Sequence, residues 1–246
     1  EWFNANKLSL NLSKTNYILF TTSLPVRGHN ITFNIGSQTI ERVYNTKFLG
    51  VFIDDRLSWD IHINHVCLKL RKSLGIIRKA SAVLDTQTLI NLYYTMLFPY
   101  LSYCHLIWGK ASNFLLDKLL KIQKRAIRII CNVSWQTHTQ PLFIEKRIIR
   151  VNDLYVYHLS LFTFKLVNNM LPFSFVSNLR INVNSLNNNN ENRRTIAQLP
   201  LCRTNIRKNT VVFQCPKLCN ELLYPLNFPP NISLFKFKKL IKNISL

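Results

Sequence analysis

The chain has 246 residues, with 32 Lys and Arg against 11 Asp and Glu, so its formal net charge is +21. A hydrophobic share of 48% excludes wholesale disorder, and 5 glycines without a GxGxxG or GxxxxGKS/T string exclude a fold built on Gly-rich phosphate loops. The charge imbalance points to a polyanionic partner, nucleic acid first and an anionic membrane surface second.

In chain order, residues 1–14 read as the end of a helix followed by a turn, broken by Asn11, Ser13 and Asn16. Tyr17–Thr22 is a short apolar strand. Ile31–Ile35 and Thr39–Val43 alternate around Gly36-Ser37, the pattern of a hairpin. Lys47–Asp54 is a further apolar, β-branched strand, so the first 55 residues are predicted to form one small antiparallel sheet.

After Asp60 the period changes to that of helices. Ile61–Val83 places Ile63, Val66, Leu70, Leu74 and Ile77 on one face. Thr86–Trp108 has no charged residue and is about as long as the 20 residues of a membrane span. Its Gln87, Asn91, tyrosines and mid-segment Pro99 instead predict a buried helix with a proline kink. Asn113–Cys131 is the cleanest amphipath: at 3.6 residues per turn Lys118, Lys121, Lys124, Arg125 and Arg128 fall within about 120° of arc, opposite a leucine and isoleucine face. Asp153–Asn168 is a further helix. The Asn-rich run around 187–190 reads as a linker, Arg203–Gln214 as irregular or strand, and Ser233–Ile244 as a basic helix with Ser233 at its N-cap.

Signals for chemistry are sparse. Six cysteines contain no CxxC pair, and no His stands near Cys202, Cys215 and Cys219 at a zinc-finger spacing, so reduced intracellular thiols are expected. His62 and His65 share a helix face without a third ligand near them in sequence. Asp54-Asp55 could hold metal only with another carboxylate from a separate strand, and reads as a solvated strand-to-helix turn. The basic helices offer more. Lys118, Lys121, Lys124, Arg125 and Arg128, extended by Lys69, Arg71, Lys72, Arg78 and Lys79 and by Lys236, Lys238, Lys239 and Lys242, can neutralise phosphates without reading bases.

Several strings together resemble one family. Trp2 with NKLSLNLSKTNYILF (6–20) is similar to the last palm motif of non-LTR (LINE-type) retrotransposon reverse transcriptases, the jockey-like ones above all. KFLGVFIDDRLSWDIHI (47–63) resembles the primer-grip motif that follows it, and YYTMLFPYLSYCHLIWG (93–109) the family's LIxPYLxYCxxVWG string. LLKIQKRAIRIIC (119–131), HTQPLF (138–143), DLYVYHLSLFTFKLVNNMLP (153–172) and LPLCRT (199–204) follow in family order.

The resemblance implies an α+β chain: a small antiparallel sheet from the edge of a polymerase palm, then a mainly helical thumb and a helical C-terminal region. It implies palm with primer grip over 1–56, thumb over 57–135, a helical extension over 136–180, the Asn-rich linker over 181–200 and a C-terminal region over 201–246. Lys14 would be a general acid toward leaving pyrophosphate, and Phe48, Leu49 and Gly50 the primer grip. Lys69, Lys72, Lys118, Lys121, Lys124, Arg125 and Arg128 would bind nucleic acid. The family's catalytic carboxylates lie in two earlier motifs, so the parent polymerase would use Mg2+ while this chain would hold no cofactor and be inactive alone. Near the C-terminus Cys219-Asn220-Glu221-Leu222-Leu223 departs from the family's Trp-Asn-x-Leu-Pro string. The expected partners are an RNA template and a DNA primer, with no membrane, in an intracellular setting, nucleus or cytoplasm. The other readings are a stand-alone non-catalytic nucleic-acid-binding module and a protein bound to a membrane surface through its terminal basic helix.

Overall fold

The computed structural model describes residues 2–20, 31–168, 170–172, 199–223 and 232–244. The chain divides into two compact units, Glu1–His65 and Val66–Leu246. Among the described residues the first unit holds small sheets and the second is helical, an α+β composition as expected. The Asn-rich linker lies, up to residue 198, outside the described residues, as do residues 21–22 of the first predicted strand.

In the first unit, helix α1 (Trp2–Ala5) and a 3-10 turn (Leu12–Lys14) precede strands β1 (Asn16–Tyr17), β2 (Phe33–Ile35), β3 (Gln38–Arg42), β4 (Asn45–Phe48) and β5 (Val51–Asp54). β2 and β3 form the predicted hairpin, with Ile35 opposite Gln38 and Gly36 at φ 60° in the turn. β1 pairs with the other edge of β3 in parallel, giving the order β1-β3-β2, so the expected all-antiparallel sheet does not form. A two-residue turn forces β2 to run against β3, whereas residues 18–32 separate β1 from β2 and permit a crossover. The predicted strand over 47–54 is likewise a separate hairpin of β4 and β5. Leu49 at φ 46° and Gly50 at φ 85° supply the two left-handed positions of a two-residue turn, and Phe48 pairs with Val51. Gly50 inside an apolar run was the mark of that reversal.

The second unit begins within helix α2 (Asp60–Ala80), whose Val66, Leu70 and Ile77 are buried. Asp85 caps helix α3 (Thr86–Leu92), its carboxylate accepting from the Gln87 and Thr88 amides at 2.9 and 3.2 Å. The stretch predicted as one kinked helix breaks further than a kink. A π turn over Tyr93–Leu97 precedes helix α4 (Phe98–Ser102), and Cys104 at φ 51° separates α4 from helix α5 (His105–Trp108). Pro99 has no N–H to continue the ladder, so the Phe98 amide bonds to the Tyr93 carbonyl instead, a wide turn that admits the ring.

Helix α6 (Asn113–Ile130) buries Leu115, Leu119, Ile122, Ala126, Ile127 and Ile130. Each large aliphatic side chain so buried contributes about 1.5–3 kcal/mol. Opposite the basic arc, Gln123 is buried too. Its amide nitrogen donates to the Tyr93 hydroxyl and the Ile149 carbonyl, both at 2.8 Å, and its oxygen accepts from the Val151 amide at 2.9 Å. One amide thus ties α6 to the π turn and to the start of helix α8 (Val151–Val167), past helix α7 (Gln140–Glu145).

Helix α8 is the hub of this unit. Tyr155 and Leu159 pack with Cys215 and Leu218 of helix α10 (Val211–Leu218), and Phe164 stacks on Phe237 of helix α11 (Leu234–Ile244) with ring centroids 4.2 Å apart. The 203–214 stretch, read as irregular or strand, is in fact helical over α9 (Asn205–Lys208) and the start of α10. Thr204 caps α9, its hydroxyl oxygen accepting from the Arg207 amide at 3.3 Å, and burial of Val211 against the α8 cluster outweighs the strand preference of the Val-Val-Phe run. Ser233 caps α11 as predicted, accepting from the Lys236 amide at 3.4 Å.

Candidate nucleic-acid interface

The α6 arc is the starting point. Lys121, Lys124, Arg125 and Arg128 follow the i, i+3, i+4, i+7 row of a helix, a line about 10 Å long. Across from it stands Arg78, in the last turn of α2. These five cations, with Ser81, Ile129, Asn132, Val133 and Trp135, line an open groove of about 680 Å³ that contains no carboxylate. Among the described residues none of the five forms an ion pair; the ion pairs are Lys146–Glu145, Arg150–Asp153 and Lys217–Glu221. Asp117 sits on the same side of α6, one turn before Lys121, but does not line the groove.

The bland explanation for Arg78 and Arg128 is that each complements the carbonyl end of its own helix. A helix C-terminus carries about half a negative charge. Two such ends offset about one of the five positive charges, so among the described residues most of the groove's charge has no counterpart. Arg128 is held in place by its Nε–H, which donates to the Thr137 carbonyl at 3.0 Å.

The other predicted residues lie elsewhere. Lys69 and Lys72 are exposed on α2 but do not line the groove. Lys118 is half-buried, its ammonium 4.8 Å from the centre of the Phe114 ring. Of the terminal basic helix, Lys236, Lys238 and Lys239 are exposed, while Lys242 turns inward to lie 3.3 Å from the Tyr94 hydroxyl. Burial there lowers its pKa. In the first unit Lys14 is exposed at the end of the 3-10 turn. Phe48 and Leu49 are 60% and 74% exposed at the tip of the β4–β5 hairpin, with Gly50 beside them. Trp135, in the loop after α6, was not singled out from sequence. Its only sequence signal is a tryptophan between polar Ser134 and Gln136.

The tempting carboxylate pair is structural on one side. Asp54 is 8% exposed, not solvated as read, and its carboxylate accepts from the backbone amides of Arg56, Ser58 and Trp59 at 2.9–3.1 Å. Those bonds close a turn in which Leu57 and Trp59 both take positive φ. His62 is buried, and burial, with His65 nearby, lowers its pKa to about 4. Its Nδ1 accepts from the Phe52 amide at 3.4 Å. Burial also raises the thiol pKa values of Cys215 and Cys219, to about 12 and about 11, the opposite of an activated nucleophile. Among the described residues no group of three or more His, Cys, Asp or Glu side chains is placed to hold a metal ion, so the described residues do not fit the metals of a polymerase centre. Among them, too, no helix is long and apolar enough to cross a membrane.

No protein-family profile matches the chain, and no solved structure matches it. Two curated proteins are similar in sequence. The probable RNA-directed DNA polymerase from transposon X-element of Drosophila melanogaster is 24% identical over 160 residues, covering 62% of this chain and 17% of the relative. The RNA-directed DNA polymerase from mobile element jockey of Drosophila funebris is 24% identical over 157 residues, again 62% of this chain and 17% of the relative. The chain therefore spans 17% of the length of these relatives. The jockey-like resemblance carried by the motifs is borne out.

Proposed function

We propose that this chain is a segment of an RNA-directed DNA polymerase of a jockey-like element, and that its helical part grips the template–primer duplex by the phosphate backbone. The observation that carries the reading is the carboxylate-free groove of Arg78, Lys121, Lys124, Arg125 and Arg128 in a chain similar to two such polymerases. A row of fixed cations neutralises phosphates and releases their counterions whatever the sequence, as a polymerase that moves along its template requires. In this reading 1–56 is the palm edge with Phe48, Leu49 and Gly50 as primer grip, 57–135 the thumb, and 136–180 and 201–246 its extension. Lys69, Lys72 and Lys118 widen the phosphate contact beyond the groove. Lys14 would supply a proton to leaving pyrophosphate in the parent polymerase, whose Mg2+ would be held by carboxylates of the family's two earlier motifs.

The test is a salt series. Each neutralised phosphate contributes a slope of about −0.9 in log K against log salt, so the five groove cations give about −4 to −5 for an RNA–DNA duplex, and Lys69, Lys72 and Lys118 bring the total to about −7. Reversing two cations in the double variant Lys121→Glu/Arg125→Glu should reduce the steepness by about 2 and weaken binding more than tenfold at low salt. A flat salt response, or a double variant that binds like the parent, refutes the assignment.

A further inference from the structure

Cations alone would suffice to hold a duplex, yet the groove wall also contains a tryptophan that is 78% exposed. A single exposed apolar residue needs no explanation by itself. Trp135 differs because its position is built. Helix α6 closes with Asn132 at φ 49°, the Asn132 amide on the Ile129 carbonyl and the Val133 amide on the Arg128 carbonyl, both at 3.1 Å. This is the left-handed helix stop that sets the direction in which the chain leaves. Beyond it the Thr137 amide bonds to the Ser134 carbonyl at 3.1 Å, and Arg128 reaches over to the Thr137 carbonyl. The groove's own arginine thus staples the loop that presents the indole.

In a duplex the base faces are covered by their neighbours, and a cationic groove meets only phosphate. An aromatic face adjoining such a groove gains a partner when a base is unpaired, because every base has a π-face and stacking tolerates any sequence. The groove's volume of about 680 Å³ leaves room for a short run of nucleotides beside the backbone of a duplex. We infer that the groove lined by Trp135, Lys124, Arg125 and Arg128 takes an unpaired nucleotide of a single-stranded extension adjoining the duplex, with its base stacked on the Trp135 indole and its phosphates on the cations. The inference rests on the nucleic-acid reading of this groove and adds what that reading does not require, a preference for unpaired bases.

The experiment uses the full chain and three probes: a blunt RNA–DNA duplex, the same duplex with an oligo-dT extension, and the same with an oligo-U extension. An extension should tighten binding about tenfold over the blunt duplex, the scale of one stacked base. Trp135→Ala should abolish that gain while leaving the blunt affinity within about twofold, and Trp135→Phe should restore most of it. The arm that shows the larger gain tells which of the two extensions the groove prefers, and equal gains identify stacking indifferent to both the sugar and the thymine methyl. No gain in the parent, a gain that survives Trp135→Ala, or an equal loss on blunt and extended probes overturns the inference while salt-dependent duplex binding still stands. Tryptophan-dependent binding of an extension without affinity for the blunt duplex overturns the template–primer reading and leaves this one standing.

Discussion

Replacing Gln123 by Leu is the sharpest probe of how the fold holds the basic face outward. Gln123 lies about 160° around α6 from the middle of the basic arc. Its three hydrogen bonds, to the Tyr93 hydroxyl, the Ile149 carbonyl and the Val151 amide, pin the rotation of α6. Leucine fits the volume but makes none of them. It would leave a buried hydroxyl, carbonyl and amide without that partner, at about 1–3 kcal/mol for each group left unmade. Gained apolar contact returns part of this, so we expect a net loss of about 3–5 kcal/mol, a large share of the 5–15 kcal/mol typical of a domain. Urea unfolding followed by circular dichroism measures it, and duplex affinity should fall in step as α6 loses its rotational register. A loss below about 1 kcal/mol would refute the claim that this amide is the pin.

Two further outcomes follow from buried groups. Asp54→Ala should cost about 2–3 kcal/mol and speed hydrogen exchange at the Arg56, Ser58 and Trp59 amides, whereas Asp55→Ala should cost under about 0.5 kcal/mol; equal effects would mean that the Asp54 turn is not what closes the strand-to-helix connection. Acid should destabilise the helical unit. Burial, with His158 beside it, lowers the His105 pKa from 6.5 to about 3, and burial lowers that of His158 as well. The unfolded chain therefore takes up protons that the folded one refuses, so stability is full above about pH 6.5 and falls as the pH drops toward 3. From His105 alone the slope is about 1.4 kcal/mol per pH unit. Chemical denaturation at pH 7, 6, 5 and 4 reads it, and a constant midpoint would contradict the burial of His105.

How much was legible depended on the range of the interaction involved. Helices α2 and α6 follow from a local apolar period, α8 from its run of Leu, Phe and Tyr, and the Gly36-Ser37 hairpin and the Ser233 start of α11 from local turn and cap chemistry. The misreadings lie where a distant partner decides. β1 runs parallel to β3, a partner about twenty-five residues further along the chain, and 203–214 is helical because Val211 has α8 to pack on. Half of the groove was readable as the α6 arc. That Arg78, about forty residues before, faces the same space is a tertiary fact without a local signature, and so is the place of Trp135 beside it. Gln123 is polar amid an apolar face and carried no signal of its own in the sequence; in the structure its amide makes three hydrogen bonds to partners on other elements.

The groove's unmatched cations give dissolved salt two opposed effects on the same molecule. In the free chain five like charges confined to one cleft repel one another, and that self-repulsion is part of the cost of staying folded. Added electrolyte screens it over a Debye length of about 8–10 Å near physiological strength and so firms the empty protein. The same electrolyte competes for the polyanion and loosens the complex. Melting temperature should therefore rise with salt when the chain is alone and fall with salt when nucleic acid is present. The two curves should merge at the salt concentration where the polyanion no longer binds, because a ligand of the folded state can only add stability.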